Sequence, residues 1–123
     1  MPQNHLPHNH GQNIEQVLEH TPSVENFQTV ADIFKKFGDG SRIRIFWLLC
    51  HCEECVINLS AMVDMSSPAV SHHLKQLKAA GLIVSRREGK EVYYKVADTE
   101  QVRNFHHMIE WLVKITCPSQ TED

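Results

Sequence analysis

Three of the four cysteines, Cys50, Cys52 and Cys55, fall within six positions, with His51 between the first two; the fourth is Cys117. Cysteines so close together need unusual geometry to pair as structural disulfides. In a reducing compartment such a cluster signals metal or redox chemistry. Three thiolates on a bent backbone suit a soft ion, namely arsenite, Cd(II), Pb(II) or Zn(II), and His51 adds a nitrogen donor. The other reading is that they are small core residues beside Leu48 and Leu49, because free cysteine is often simply buried. Histidines supply further donors. His5, His8 and His10 crowd the N-terminus, while His106, His107 and Glu110 lie near the C-terminus, where His107 and Glu110 share a helix face.

A second chemistry is written in charge. The chain of 123 residues carries a net charge of -3. Residues 68–95 nevertheless hold six basic side chains (Lys75, Lys78, Arg86, Arg87, Lys90 and Lys95) against two acids, Glu88 and Glu91. A basic segment inside an acidic chain suggests one face made for phosphates.

The elements that must position these groups follow from apolar spacing. Val24, Phe27, Val30, Ala31, Phe34 and Phe37 recur at helical intervals, with Ser23 as cap and Gly38 as stop. A helix over 42–50 is apolar on nearly every side, which implies central burial. A short helix over 56–63, a tight turn at Asp64 and Met65, and a helix capped by Ser67 with Pro68 in its first position come next. Its inner stripe is Val70, Leu74 and Leu77, and Gly81 ends it. Residues 82–87 and 91–96 read as strands about a turn at Glu88-Gly89-Lys90. Asp98 or Thr99 caps a last helix whose apolar face is Val102, Phe105, Ile109, Leu112 and Val113.

Two helices, a tight turn and a hairpin make a winged helix-turn-helix. The expected fold is mainly α with a small β-hairpin: about five helices and a two-stranded wing, dimeric. The second helix of the motif enters the major groove. Opposite its inner stripe it offers Ser71, His72, Lys75 and Lys78, with Ser67 and Pro68 leading. Serine and histidine can bond base edges, whereas lysine neutralises phosphate. The wing brings Arg86, Arg87 and Lys90 toward the backbone or minor groove.

The stretch SPAVSHHLKQLKAAGLIVSRREGKEVYY resembles the recognition helix and wing of the ArsR/SmtB family of metal-sensing repressors. FGDGSRIRIFWLL is similar to the family's preceding helix, with Phe37-Gly38-Asp39-Gly40-Ser41-Arg42 standing for its L-x-D-x-x-R opening. The likeness covers residues 34–113. It implies a homodimer, built on the first and last helices, that binds operator DNA with an imperfect inverted repeat and lets go when metal binds. Of the family's thiolate pattern E-L-C-V-C-D-L, Cys55 is matched, but Ile57 replaces the second cysteine, and Cys50 and Cys52 lie upstream instead. The family's last-helix site joins Asp-x-His to His-x-x-His/Glu of the partner. Asp98 and Glu100 match the first half, with Glu for His, but Trp111 and Lys114 occupy the second. His106, His107 and Glu110, one turn earlier, offer a displaced set.

The expected organisation is a His-rich arm over 1–21, the DNA-binding and dimerisation domain over 22–117, and a frayed tail over 118–123. The expected function is a DNA-binding transcriptional repressor that leaves its operator on binding a metal or metalloid, with no cofactor needed for DNA binding itself. The alternative is a thiol redox or persulfide-responsive repressor on the same fold. A protein-interaction adaptor using the wing surface is a third class. Catalysis is not expected: there is no βαβ unit to hold a redox cysteine pair and no Gly-rich phosphate loop. No apolar run approaches membrane-spanning length and the N-terminus lacks a signal-like segment, so the expected location is cytoplasmic.

Overall fold

The computed structural model describes residues 6–116. Six helices and one hairpin form along them: α1 (Ile14–Glu19), α2 (Val24–Lys36), α3 (Gly40–His51), α4 (Val56–Val63), α5 (Ser67–Ala79), β1 (Ile83–Glu88), β2 (Glu91–Val96) and α6 (Glu100–Thr116). This is a winged helix-turn-helix; beside the five expected helices, the short helix that the sequence allows around 13–20 forms as α1. Cys117, His5 and the 118–123 tail lie outside the described residues. Among the described residues no helix is long and apolar enough to cross a membrane.

The chain divides into two compact units within α2, between Asp32 and Ile33. In the first, Asn13 caps α1 by accepting from the Gln16 amide, and the Ser23 hydroxyl accepts from the Asn26 amide at the start of α2. Val24, Phe27 and Val30 of α2 are exposed.

The second unit is built around α3. Asp39 caps it by accepting from the Arg42 amide. Ile45, Phe46 and Leu49 are buried, and the helix packs against α4, α5, α6 and β2. Phe37 meets Phe46 edge-on at 5.1 Å and Phe105 of α6 at 4.6 Å, an aromatic stack that seats α6 on α3. The core is completed by Leu59 and Val63 of α4, Val70, Leu74 and Leu77 of α5, and Leu82 and Ile83 entering the wing.

Between α4 and α5 the chain reverses at Asp64, which takes the left-handed conformation (φ 57°). The cap of α5 is Ser66, whose hydroxyl accepts from the Ala69 amide, and not Ser67 as the sequence suggested. The one-residue shift frees Ser67 to bond Ser60 of α4 at 3.1 Å, pinning the two helices together. At the far end Gly81 (φ +76°) lets the Leu82 amide return to the Leu77 carbonyl and its own amide to that of Lys78, the reversal that glycine allows after a helix. The wing pairs Ile83 with Val96 through to Glu88 with Glu91.

The apolar face of α6 divides. Val102 is buried and Phe105 and Ile109 pack on the core, but Leu112 and Val113 are exposed, together with Met108, Trp111 and Ile115.

Candidate nucleic-acid interface and metal-binding side chains

On α5 the inward positions are Val70, His73, Leu74 and Leu77, and Pro68, Ser71, His72, Lys75 and Lys78 face solvent. An exposed helix face carrying hydroxyl, imidazole and ammonium groups can donate to base edges and phosphates at once. Lys78 donates to the Ser85 hydroxyl at 2.7 Å, linking this helix to β1. Ser67 is half-buried and already bonded to Ser60, so its role is the joint between α4 and α5.

The wing divides its three basic residues. Arg87 and Lys90 are exposed near the tip. Arg86 grips Glu53 with two guanidinium nitrogens at 2.8 and 3.1 Å, bonds Glu88 at 2.6 Å, and lies over the Tyr93 ring at 4.8 Å. Its hydrogen bond to Glu53 holds that carboxyl below its ordinary range. A guanidinium so engaged fixes the wing more than it reaches for phosphate.

Beneath α5 lies a polar joint that the sequence reading does not identify. Arg42 donates from Nε to Nδ1 of His73 at 3.1 Å and from Nη1 to the Lys36 carbonyl at 3.3 Å; Lys36 donates to Gln76 at 2.6 Å. His73 is buried, and Asp39 lies 3.9 Å from its Nε2. The signal is present in the spacing: position 73 falls on the same inward stripe as 70, 74 and 77.

The three thiols have separate surroundings. Cys50 packs against the core, and burial, aided by the charge of Glu110, pushes its pKa up to about 11. Cys52 ends α3 and donates its thiol to the Leu48 carbonyl at 3.3 Å; burial and then Glu54 raise its pKa. Cys55 is buried at the cap position of α4. Their segment is stitched to the wing, because Glu54 and Tyr94 exchange backbone hydrogen bonds at 3.0 and 2.8 Å.

Elsewhere, Asp98 pairs with Arg103 at 2.9 Å, Glu100 sits exposed in the first turn of α6, and His107 is exposed with its ring stacked on His106. His8 and His10 stack on each other in the N-terminal unit. Among the described residues the set of three donors converging on one point is His51, His106 and Glu110, all within 4.8 Å of one another. The sequence reading groups His51 with the cysteines, because neighbours along the chain are visible in a sequence and neighbours across helices are not.

Residues 39–85 match the family described as "Bacterial regulatory protein, arsR family". The chain is 33% identical over 103 residues to a transcriptional repressor SmtB homolog of Synechocystis, covering 84% of this chain and 78% of that one. It is 37% identical over 75 residues to a cadmium resistance regulatory protein CadC homolog of Staphylococcus aureus, covering 60% of this chain and 62% of the relative. In structure it is similar to a homodimeric winged helix-turn-helix DNA-binding domain from Mycobacterium bovis, with a TM-score of 0.68 and 25% identity over 84% of this chain and 97% of that one.

The His73 joint gives stability a pH dependence. Burial, against the partial opposition of Asp39, lowers the pKa of His73 below its ordinary 6.5. The unfolded chain therefore binds a proton that the folded chain rejects, and stability falls as pH drops through 6.5 toward the folded value. His73→Gln, which keeps an acceptor for Arg42 and cannot titrate, is expected to lose less stability than wild type between about pH 7 and pH 5 in urea unfolding. Equal losses would show that His73 does not set the trend.

Proposed function

The chain belongs to the ArsR/SmtB family of winged-helix transcriptional regulators, and from that premise we propose that it is a sequence-specific DNA-binding repressor released from its operator by a metal or metalloid ion. The observation that carries the reading is the two-faced α5, with Val70, Leu74 and Leu77 locked in the core and Ser71, His72 and Lys75 turned outward. In the proposed complex, Ser71 and His72 read base edges in the major groove, Pro68 sets the close approach of the helix start, and Lys75 and Lys78 neutralise phosphate. Arg87 and Lys90 follow the backbone beside the groove.

The operator is proposed to be an imperfect inverted repeat read by a homodimer. The exposed Met108, Trp111, Leu112, Val113 and Ile115 of α6 support a second copy as their cover, as does the homodimeric state of the mycobacterial relative. A two-fold dimer would set two α5 helices one DNA turn apart.

The effector is proposed to act at Cys50, Cys52 and Cys55, a set that suits Cd(II), Pb(II), Zn(II) or arsenite; cadmium appears in the name of the staphylococcal relative. Closing these thiols on an ion would draw the end of α3 toward the start of α4. Because segment 52–55 is bonded to β2 and Glu53 holds Arg86, that motion would reach the wing, and through the Ser60–Ser67 hydrogen bond it would reach α5. The ion needs to favour the released conformation by only about 1–3 kcal/mol to act as a switch. The burial of Cys55 and the partial burial of Cys50 disfavour a purely redox trigger, which needs a thiol open to an oxidant.

Ser71→Ala/His72→Ala should weaken operator binding by about 1–3 kcal/mol for each base edge no longer read, while Lys90→Ala should weaken all sequences alike and flatten the salt dependence. A double variant that shifts operator DNA like wild type would remove α5 as the reading helix. Sedimentation at micromolar concentration should give a dimer; a folded monomer would overturn the assembly. Cys50→Ser/Cys52→Ser/Cys55→Ser protein should hold its operator in Cd(II) or arsenite concentrations that release wild type, and release at the same concentration would move the sensor elsewhere.

A further inference from the structure

Where the end of α3 meets α6, Nε2 of His106 lies 3.1 Å from Nε2 of His51 and 3.1 Å from Oε2 of Glu110, and that oxygen is 3.6 Å from Nε2 of His51. An ion bound at about 2.0–2.1 Å by nitrogen and oxygen donors spaces its ligands about 3.4 Å apart in a tetrahedron and about 3.0 Å apart in an octahedron. The three observed edges are those of one face of such a shell. Two imidazole nitrogens 3.1 Å apart cannot both carry protons toward each other, so at least one presents a lone pair to the shared point.

The site is also braced as a ligand set would be. His106 and Glu110 are four residues apart and project from the same face of α6. Trp47 donates from Nε1 to Oε2 of Glu110 at 3.2 Å and lays its ring against His51, with centroids 4.2 Å apart, so one α3 side chain orients two of the three donors. His51 and Glu110 remain nearly half exposed, which leaves room for water to complete the shell.

From this geometry we propose that His51, His106 and Glu110 form a metal site within one protomer, joining α3 to α6, for a divalent first-row transition ion of the Zn(II), Co(II) or Ni(II) kind. It differs from the cysteine cluster in donor type, since two imidazoles and a carboxylate select borderline ions over arsenite or Pb(II). Its regulatory consequence rests on the DNA-binding reading above: an ion here would fix the helix proposed to pair with the partner against the helix that feeds the helix-turn-helix. Binding of the ion itself does not depend on that reading.

The test is a Co(II) titration of the reduced full chain, followed by d–d absorption, by thiolate-to-cobalt charge-transfer absorption and by tryptophan fluorescence. Wild type should take up Co(II) with d–d bands that belong to a site without sulfur and with quenching of Trp47. His51→Ala, at an exposed position, and Glu110→Gln, which keeps an acceptor for Trp47, should each weaken that uptake by at least about tenfold and leave any charge-transfer band unchanged. Trp47→Phe should abolish most of the quenching. Variants that bind Co(II) like wild type, or wild-type uptake seen only with sulfur charge transfer, would overturn the site. Operator binding by the metal-free protein, measured in parallel, reports on the DNA-binding reading alone, so the two ideas fail separately.

Discussion

The burial of α3 is the constraint on which the rest of the DNA-binding unit depends. α3 commits Ile45, Phe46 and Leu49 to the core and leaves Arg44 and His51 exposed, so its apolar side must be covered by other elements. α4, α5, α6 and β2 supply that cover, with side chains from each joining the core around Ile45, Phe46 and Leu49. The outward face of α5 is therefore a consequence of its inward one: once Val70, Leu74 and Leu77 are committed to the core, Ser71, His72 and Lys75 have no other direction. In the same way α6 is seated through Phe105 and the Phe37–Phe46 stack, which brings His106 and Glu110 to the last turn of α3.

Polar contacts then join parts that packing alone would leave loosely related. Arg42 ties the start of α3 to His73 under α5, and Ser60 ties α4 to Ser67. Arg86 and Tyr94 tie the wing to the segment that holds Cys52 and Cys55. Each link crosses between elements that a DNA-binding protein must keep in register. A change at the end of α3 has short covalent and hydrogen-bonded routes to both α5 and the wing. Arg86 illustrates the cost of such a link: its bidentate grip on Glu53 commits a charge that would otherwise be offered to phosphate.

Much of this was legible from periodicity. α4 and β2 fall where the spacing puts them, and the helix-turn-helix with its wing follows from a tight turn between two short apolar patterns and a glycine-centred hairpin. The misplaced cap shows where local signals run out. Ser66 and Ser67 are equally good capping residues, and the choice between them is made by Ser60, a residue of another helix that claims Ser67. Likewise His72 and His73 are the same residue type, and only the inward stripe, completed by Arg42, decides that one faces solvent and the other the core.

By itself the sequence determined the element types, the core stripe, the polar and basic outward face of α5 and the family, because these are carried by residues near one another along the chain. Only the tertiary structure decided which donors meet. It gave each of the neighbouring cysteines its own surroundings: Cys50 packs on the core, Cys52 donates its thiol to the Leu48 carbonyl, and Cys55 is buried at the cap of α4. It brought His51 to His106 and Glu110, more than fifty positions further along the chain, because the packing of α6 on α3 sets their distance and no spacing in the sequence encodes an angle between helices.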